Sequence, residues 1–123
     1  MKQYQVYILE FNRGDPNYAE LFVDVFPGEF GHVCKVEGNL AQGLTCQPIG
    51  GYVPEDDPSF ARKIYVGTVT QADYPRLEEV CVRIPPPEIQ FKQYKRISPD
   101  TPLRTVRVWV NEVVDELRAQ QII

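Results

Sequence analysis

The last quarter of the chain constrains the fold most. Val106, Trp109, Val110, Val113, Val114 and Leu117 recur at offsets of three, four, seven, eight and eleven residues, which places them on one stripe of an α-helix. Thr101-Pro102 supplies a helix start signal ahead of it. Glu112, Asp115, Glu116 and Arg118 fall on the other side, where a pair such as Asp115 with Arg118 adds solubility and little stability. One face of this helix therefore belongs to a core.

The rest of the core has to come from upstream, where strand patterns dominate. Gln3 to Phe11 carries Tyr4, Val6, Tyr7, Ile8, Leu9 and Phe11 and ends in the turn residues Asn12-Arg13-Gly14-Asp15-Pro16. From Tyr18 to Phe26, Ala19, Leu21, Val23 and Val25 alternate with Glu20 and Asp24, a half-buried strand stopped by Pro27-Gly28. His32 to Val36 reads as a third strand closed by Gly38-Asn39, and Leu44 to Ile49 as a fourth closed by Gly50-Gly51. The polar, proline-rich run from Gly50 to Ser59 reads as an exposed loop. Lys63 to Val69 is a further strand, after which Thr70 or Asp73 can cap a helix with Leu77, Val80, Cys81 and Ile84 inward. Pro85-Pro86-Pro87 must end that helix, and an extended segment runs to Phe91. The expected fold is α+β: an antiparallel meander of about five or six strands, a mid-chain helix and a C-terminal amphipathic helix. An exposed strand edge at Gln3 to Phe11 leaves room for a homodimer.

Composition narrows the function. A chain of 123 residues, 43% apolar, is enough for one core, so residues 1–123 form a single domain. The net charge is −4 and no basic stripe occurs, which argues against nucleic acid as a partner. Met1 to Phe11 alternates polar and apolar residues and lacks the apolar run of a secretory signal, and no segment has the length of a membrane span. The expectation is a soluble, cytoplasmic protein away from membranes. Cys34, Cys46 and Cys81 are too few and too widely spaced for a disulfide framework, and with His32 as the one histidine a metal cluster lacks ligands. Reduced thiols and no cofactor are expected.

Papain-type chemistry places a thiolate at a helix start, where the dipole and a nearby imidazole lower its pKa. In the permuted chain order the histidine strand comes first and the cysteine helix late. Four segments here follow that order: Tyr18-Ala19-Glu20-Leu21-Phe22-Val23; Gly31-His32-Val33-Cys34-Lys35-Val36-Glu37-Gly38; Tyr65-Val66-Gly67-Thr68-Val69 through Ile84-Pro85-Pro86-Pro87; and Thr105-Val106-Arg107-Val108-Trp109-Val110 with Leu117. Together they resemble a group of small fungal proteins of undefined function related to the permuted NlpC/P60-like, papain-like fold. The resemblance puts that family's cysteine on Val106 and its histidine at about Tyr18, and replaces the glutamine after the cysteine with Arg107. It implies a catalytically degenerate domain whose cleft, lined by Tyr18, Val106, Arg107 and Trp109, suits an anionic or enolate-like ligand.

Three functions follow as expectations. The first is a binding or accessory module for a small molecule or a protein partner. The second is a repurposed cyclase or isomerase of fungal secondary metabolism, with Tyr18 as acid and Arg107 stabilising an anion. The third is a thiol hydrolase using His32 with Cys34 or Cys46. For each residue a plainer role stands beside these: Tyr18 and Trp109 as packing, Arg107 as a solvated side chain, His32 as a structural histidine, Cys81 as core.

Overall fold

The strand patterns upstream of the helices assemble in the computed structural model into one twisted sheet. The structure describes residues 2–14, 18–39, 43–88, 90–92 and 95–123. Five strands, β1 (Gln3–Phe11), β2 (Ala19–Phe26), β3 (Phe30–Asn39), β4 (Gly43–Tyr52) and β5 (Phe60–Thr70), pair antiparallel in the order β4-β3-β2-β1-β5. Helix α1 spans Tyr74–Arg83 and α2 spans Val106–Ala119; between them β6 (Phe91–Lys92) and β7 (Lys95–Arg96) form a separate short ribbon. The α+β class, the C-terminal helix and a five-stranded antiparallel sheet are thus as expected.

The sheet is not a simple meander. β1 is apolar on both faces, Tyr4, Val6 and Ile8 on one and Leu9 and Phe11 on the other, and both faces are kept covered better in the middle of a sheet, with a neighbour at each edge, than at its rim. β5 returns to supply the second neighbour, pairing along the whole of β1 from Gln3↔Thr70 to Phe11↔Phe60. Gln3 to Phe11 is therefore an interior strand, and the open edges belong to β4 and β5.

Both helices lie on one face. Tyr4, Val6, Ile8, Ala19, Leu21, Val23, Cys34 and Val36 of the sheet meet Leu77, Val80 and Cys81 of α1 and the complete stripe of α2. Trp109 is fully buried there. The other face carries Leu9, Phe11, Phe22 and Val33, roofed by Tyr7, Tyr18, Ile49, Tyr52 and Phe60. Gly31 lets β3 approach β2 closely, because a Cβ at that position would stand 2.3 Å from the Val23 carbonyl oxygen.

Several boundaries move for local reasons. β4 continues to Tyr52, since a bulge between Gly31 and Val33 restores the register at Gly31↔Tyr52. The segment expected as an exposed loop thus begins with strand and then forms a 3-10 turn, Pro54–Asp56, whose Pro54 is buried. α2 starts at Val106 and not at Thr101-Pro102: Thr101 gives its carbonyl to Arg96 Nη2 (2.6 Å), and Gln90 holds the Arg104 backbone by two bonds of 2.7 and 2.8 Å. Thr105 then caps the helix, its hydroxyl accepting from the Val108 amide. Asp73 precedes α1 without a side-chain cap, and the Thr70 hydroxyl accepts from the Asp73 amide. On the polar side of α2, Glu116 pairs with Arg83, Glu112 with Arg104, and Arg118 reaches the Val66 carbonyl. The Asp15-Pro16 half of the first turn lies outside the described residues, as does the chain between β6 and β7.

Candidate functional site

The residues that the resemblance assigned to one cleft are distributed over two faces of the sheet. Tyr18 packs with Leu9, Phe11, Phe22 and Val33 on the face away from the helices, because strand alternation sends Ala19 to the helix side and Tyr18 and Glu20 to the other. Val106 and Trp109 sit on the helix side. Trp109 is enclosed and donates its indole N–H to the Ile84 carbonyl at 2.9 Å, so neither ring face is open to a ligand. Arg107 is engaged by Glu10, Nη1 to Oε2 at 2.6 Å, and by Asn111 at 3.3 Å. Glu10 also pairs with Arg62 and lines a surface recess with Tyr18. Tyr18 and Arg107 are thus related through Glu10 and do not face each other across a cavity.

Around Tyr18 a polar centre is built that the sequence did not announce. The Tyr18 hydroxyl donates to Glu20 Oε2, Glu20 is fully buried, and its Oε1 has no hydrogen-bond partner. Tyr52 lies near enough that burial and the Glu20 charge raise its pKa, although its hydroxyl makes no well-aligned bond to Oε1. The Tyr18 pKa is likewise pushed up, first by burial and then by the bond to Glu20. Arg13 covers the Tyr18 and Phe11 rings at 4.4 and 4.8 Å and pairs with Asp57. A phenol held this firmly as a donor to a buried carboxylate is a structural group, and a poor acid toward a ligand.

The second constellation lies on the helix side, in a cleft of about 230 Å³ between β2, β3, the end of β4 and the start of α1. Leu21, Val23 and Leu77 are among its apolar walls; His32, Tyr74 and Glu78 are its polar groups, and Cys34, Pro48 and Gly50 also line it. His32 Nδ1 and the Tyr74 hydroxyl are 2.6 Å apart. Tyr74 and Glu78 are one helical turn apart, on the same face of α1, and the nearness of the Glu78 carboxylate raises the Tyr74 pKa further beyond the effect of burial. Sequence reading marked His32 and Cys34 and passed over Tyr74 and Glu78. The signal was an aromatic and a carboxylate at i,i+4 on the helix whose other positions fill the core.

Cys34 is the link to a thiol cluster. A hydrogen bond with Cys46 favours its thiolate, but the bond to Cys81, burial and the charge of Glu78 outweigh that and raise the pKa. The Cys46 thiol is pushed up by its bond to Cys34 and by burial. The balance at Cys34 is therefore the reverse of the lowered pKa that a nucleophilic thiol requires. All three cysteines are free. Among the described residues no group of three or more His, Cys, Asp or Glu is arranged to hold a metal ion, and no helix is long and apolar enough to cross a membrane.

A sheet with two helices on one face, aromatic packing on the other and a small cleft between sheet and mid-chain helix defines a compact α+β domain with a polar-lined recess on its helical side. The chain belongs to DUF6540, a family of unknown function whose profile matches residues 6–123. No curated protein and no solved structure matches it.

Proposed function

We propose that this domain is a small-molecule-binding accessory module, a degenerate relative of the permuted papain-like fold, and that it binds at the cleft of His32, Tyr74 and Glu78. The observation that carries the reading is the coincidence, in one recess, of apolar walls and convergent polar groups joined by the 2.6 Å His32–Tyr74 bond. Papain-like ancestry draws support from an early strand covered by a late helix, with Val106 at the helix start where that chemistry places its nucleophile. The position of Tyr18 on the opposite face weighs against a retained cleft between Tyr18 and Arg107, and so against a cyclase or isomerase built on those two residues.

The test is a fragment screen read by backbone amide shifts. Binding is expected to perturb residues 32–34, 48–50 and 74–78, and to weaken when Leu77→Phe fills the apolar wall. Perturbations confined to Tyr18, Glu10 and Arg107, or none in a broad library, would overturn the reading.

A thiol hydrolase is the second reading, because His32 and Cys34 line the same recess. It requires a thiolate near neutral pH, against the upward shifts at Cys34 and Cys46. Iodoacetamide at pH 7 is expected to label the folded chain slowly and all three cysteines once it is denatured; rapid labelling of Cys34 in the folded protein would restore the hydrolase.

A further inference from the structure

The fixed charge of the cleft has one sign. Glu78 is the one carboxylate among the described residues that line it, and none of those residues is a lysine or an arginine. The arginines of the described ion pairs are taken by other carboxylates, Arg76 on α1 by Asp73 at 3.4 Å, and none of them reaches Glu78. The Glu78 charge is felt on both walls. It adds to burial in raising the Tyr74 pKa, and at Cys34 on β3 it acts upward behind the thiol neighbours and burial.

Depth sorts the same lining. Leu21, Val23 and Leu77 are buried, whereas Glu78, next to Leu77 on α1, is half-buried. The apolar side chains therefore form the floor, and the carboxylate stands toward the mouth. A volume of about 230 Å³ lies below the roughly 300 Å³ at which sites for drug-sized ligands begin, so the cleft suits a body of fragment size. An ammonium held at the mouth keeps part of its hydration while it gains a counter-charge, and so avoids the cost of a fully buried ion. An anion in that place would meet Glu78 as a like charge.

We infer that Glu78 makes this cleft selective for a small amine, whose ammonium sits beside the carboxylate while a compact apolar body rests on Leu21, Val23 and Leu77. The inference rests on the binding reading above and adds to it the sign of the ligand's charge. That sign is opposite to the one expected for a cleft of Tyr18 and Arg107.

Benzylamine, benzyl alcohol and phenylacetate carry the same benzyl group and differ in charge. They are titrated at low ionic strength and at pH 8, above the ordinary imidazole range, and followed by the amide shifts of residues 32–34 and 74–78. Benzylamine is expected to bind about three- to fivefold tighter than benzyl alcohol, as a half-exposed ion pair allows, with phenylacetate the weakest. Added salt should shrink the preference. Glu78→Gln keeps the shape of the side chain and should abolish it. Glu79→Gln removes a charge from the same helix outside the cleft and should leave it intact.

Equal binding of benzylamine and benzyl alcohol, a preference that survives Glu78→Gln, or one lost equally in Glu79→Gln overturns the charge assignment and leaves the binding reading standing. If the three probes do not shift the cleft, the hits of the wider fragment screen decide: cationic hits at these residues uphold the assignment, and neutral or anionic hits overturn it. A screen without hits removes the binding reading and this inference with it.

Discussion

Among the described residues, Glu20 is the one acidic or basic side chain that is fully buried. It is a fully buried carboxylate with one oxygen held by the Tyr18 hydroxyl and the other, Oε1, without a partner. Removing the donor leaves both oxygens unsatisfied, and a buried acceptor so exposed to loss costs about 2 kcal/mol. Tyr18→Phe should therefore lower the unfolding free energy by that amount, read as a lower urea midpoint at unchanged slope. Glu20→Gln retains an oxygen for Tyr18 and removes the desolvated charge, so it should cost less or stabilise. If Tyr18→Phe unfolds at the native midpoint, the bond is not structural and Tyr18 is free for another role. Tyr18 was legible as a residue of interest, but its partner was not. Alternation along β2 tells which side Glu20 faces, and says nothing of the aromatic roof formed by Tyr18, Tyr52 and Phe60 that buries it.

At the scale of elements, α2 was the most legible part of the chain and its start the least. The stripe from Val106 to Leu117 lies in the core as its period requires. Its first residue was decided by bonds from outside, Gln90 and Arg96 holding the backbone of Arg104 and Thr101 before the helix begins. Thr105→Ala removes the cap on the Val108 amide and should destabilise the protein by about 1 kcal/mol. Thr101→Ala, which alters a residue outside the helix, should change little. A midpoint shift in the second variant and not the first would return the helix start to Thr101-Pro102. For α1 the period identified Leu77, Val80 and Cys81 as core, while Tyr74 and Glu78 gain their meaning from His32, which lies 42 residues from Tyr74 along the chain.

Over the whole molecule, ion pairs fasten segments far apart in sequence, and they make stability depend on acid. Asp57 has its pKa lowered to about 2, first by the Ser59 hydroxyl, then by the Ser59 amide and Arg13; Glu10 is lowered by Arg107 and Arg62. A carboxyl group whose folded pKa lies below its unfolded value near 4 stabilises the protein fully above that value and progressively less as the pH falls toward the folded pKa. Stability is therefore expected to drop between about pH 4 and pH 2. Arg13→Ala should flatten that slope while lowering stability at neutral pH, as followed by thermal melts across the range. An unchanged slope would show that the pair to Asp57 is not maintained in solution.

The sequence by itself determined which segments are strands and helices and which side chains each turns inward, because those follow from local period and from the turn chemistry that interrupts it. It also excluded a histidine-rich metal centre, since that depends on a count alone. The tertiary structure decided that β5 returns to flank β1, that Tyr18 and Val106 stand on opposite faces, and that His32 meets Tyr74. Each of these is a contact between distant residues, and strand order can exchange neighbours without changing any local pattern that a sequence displays.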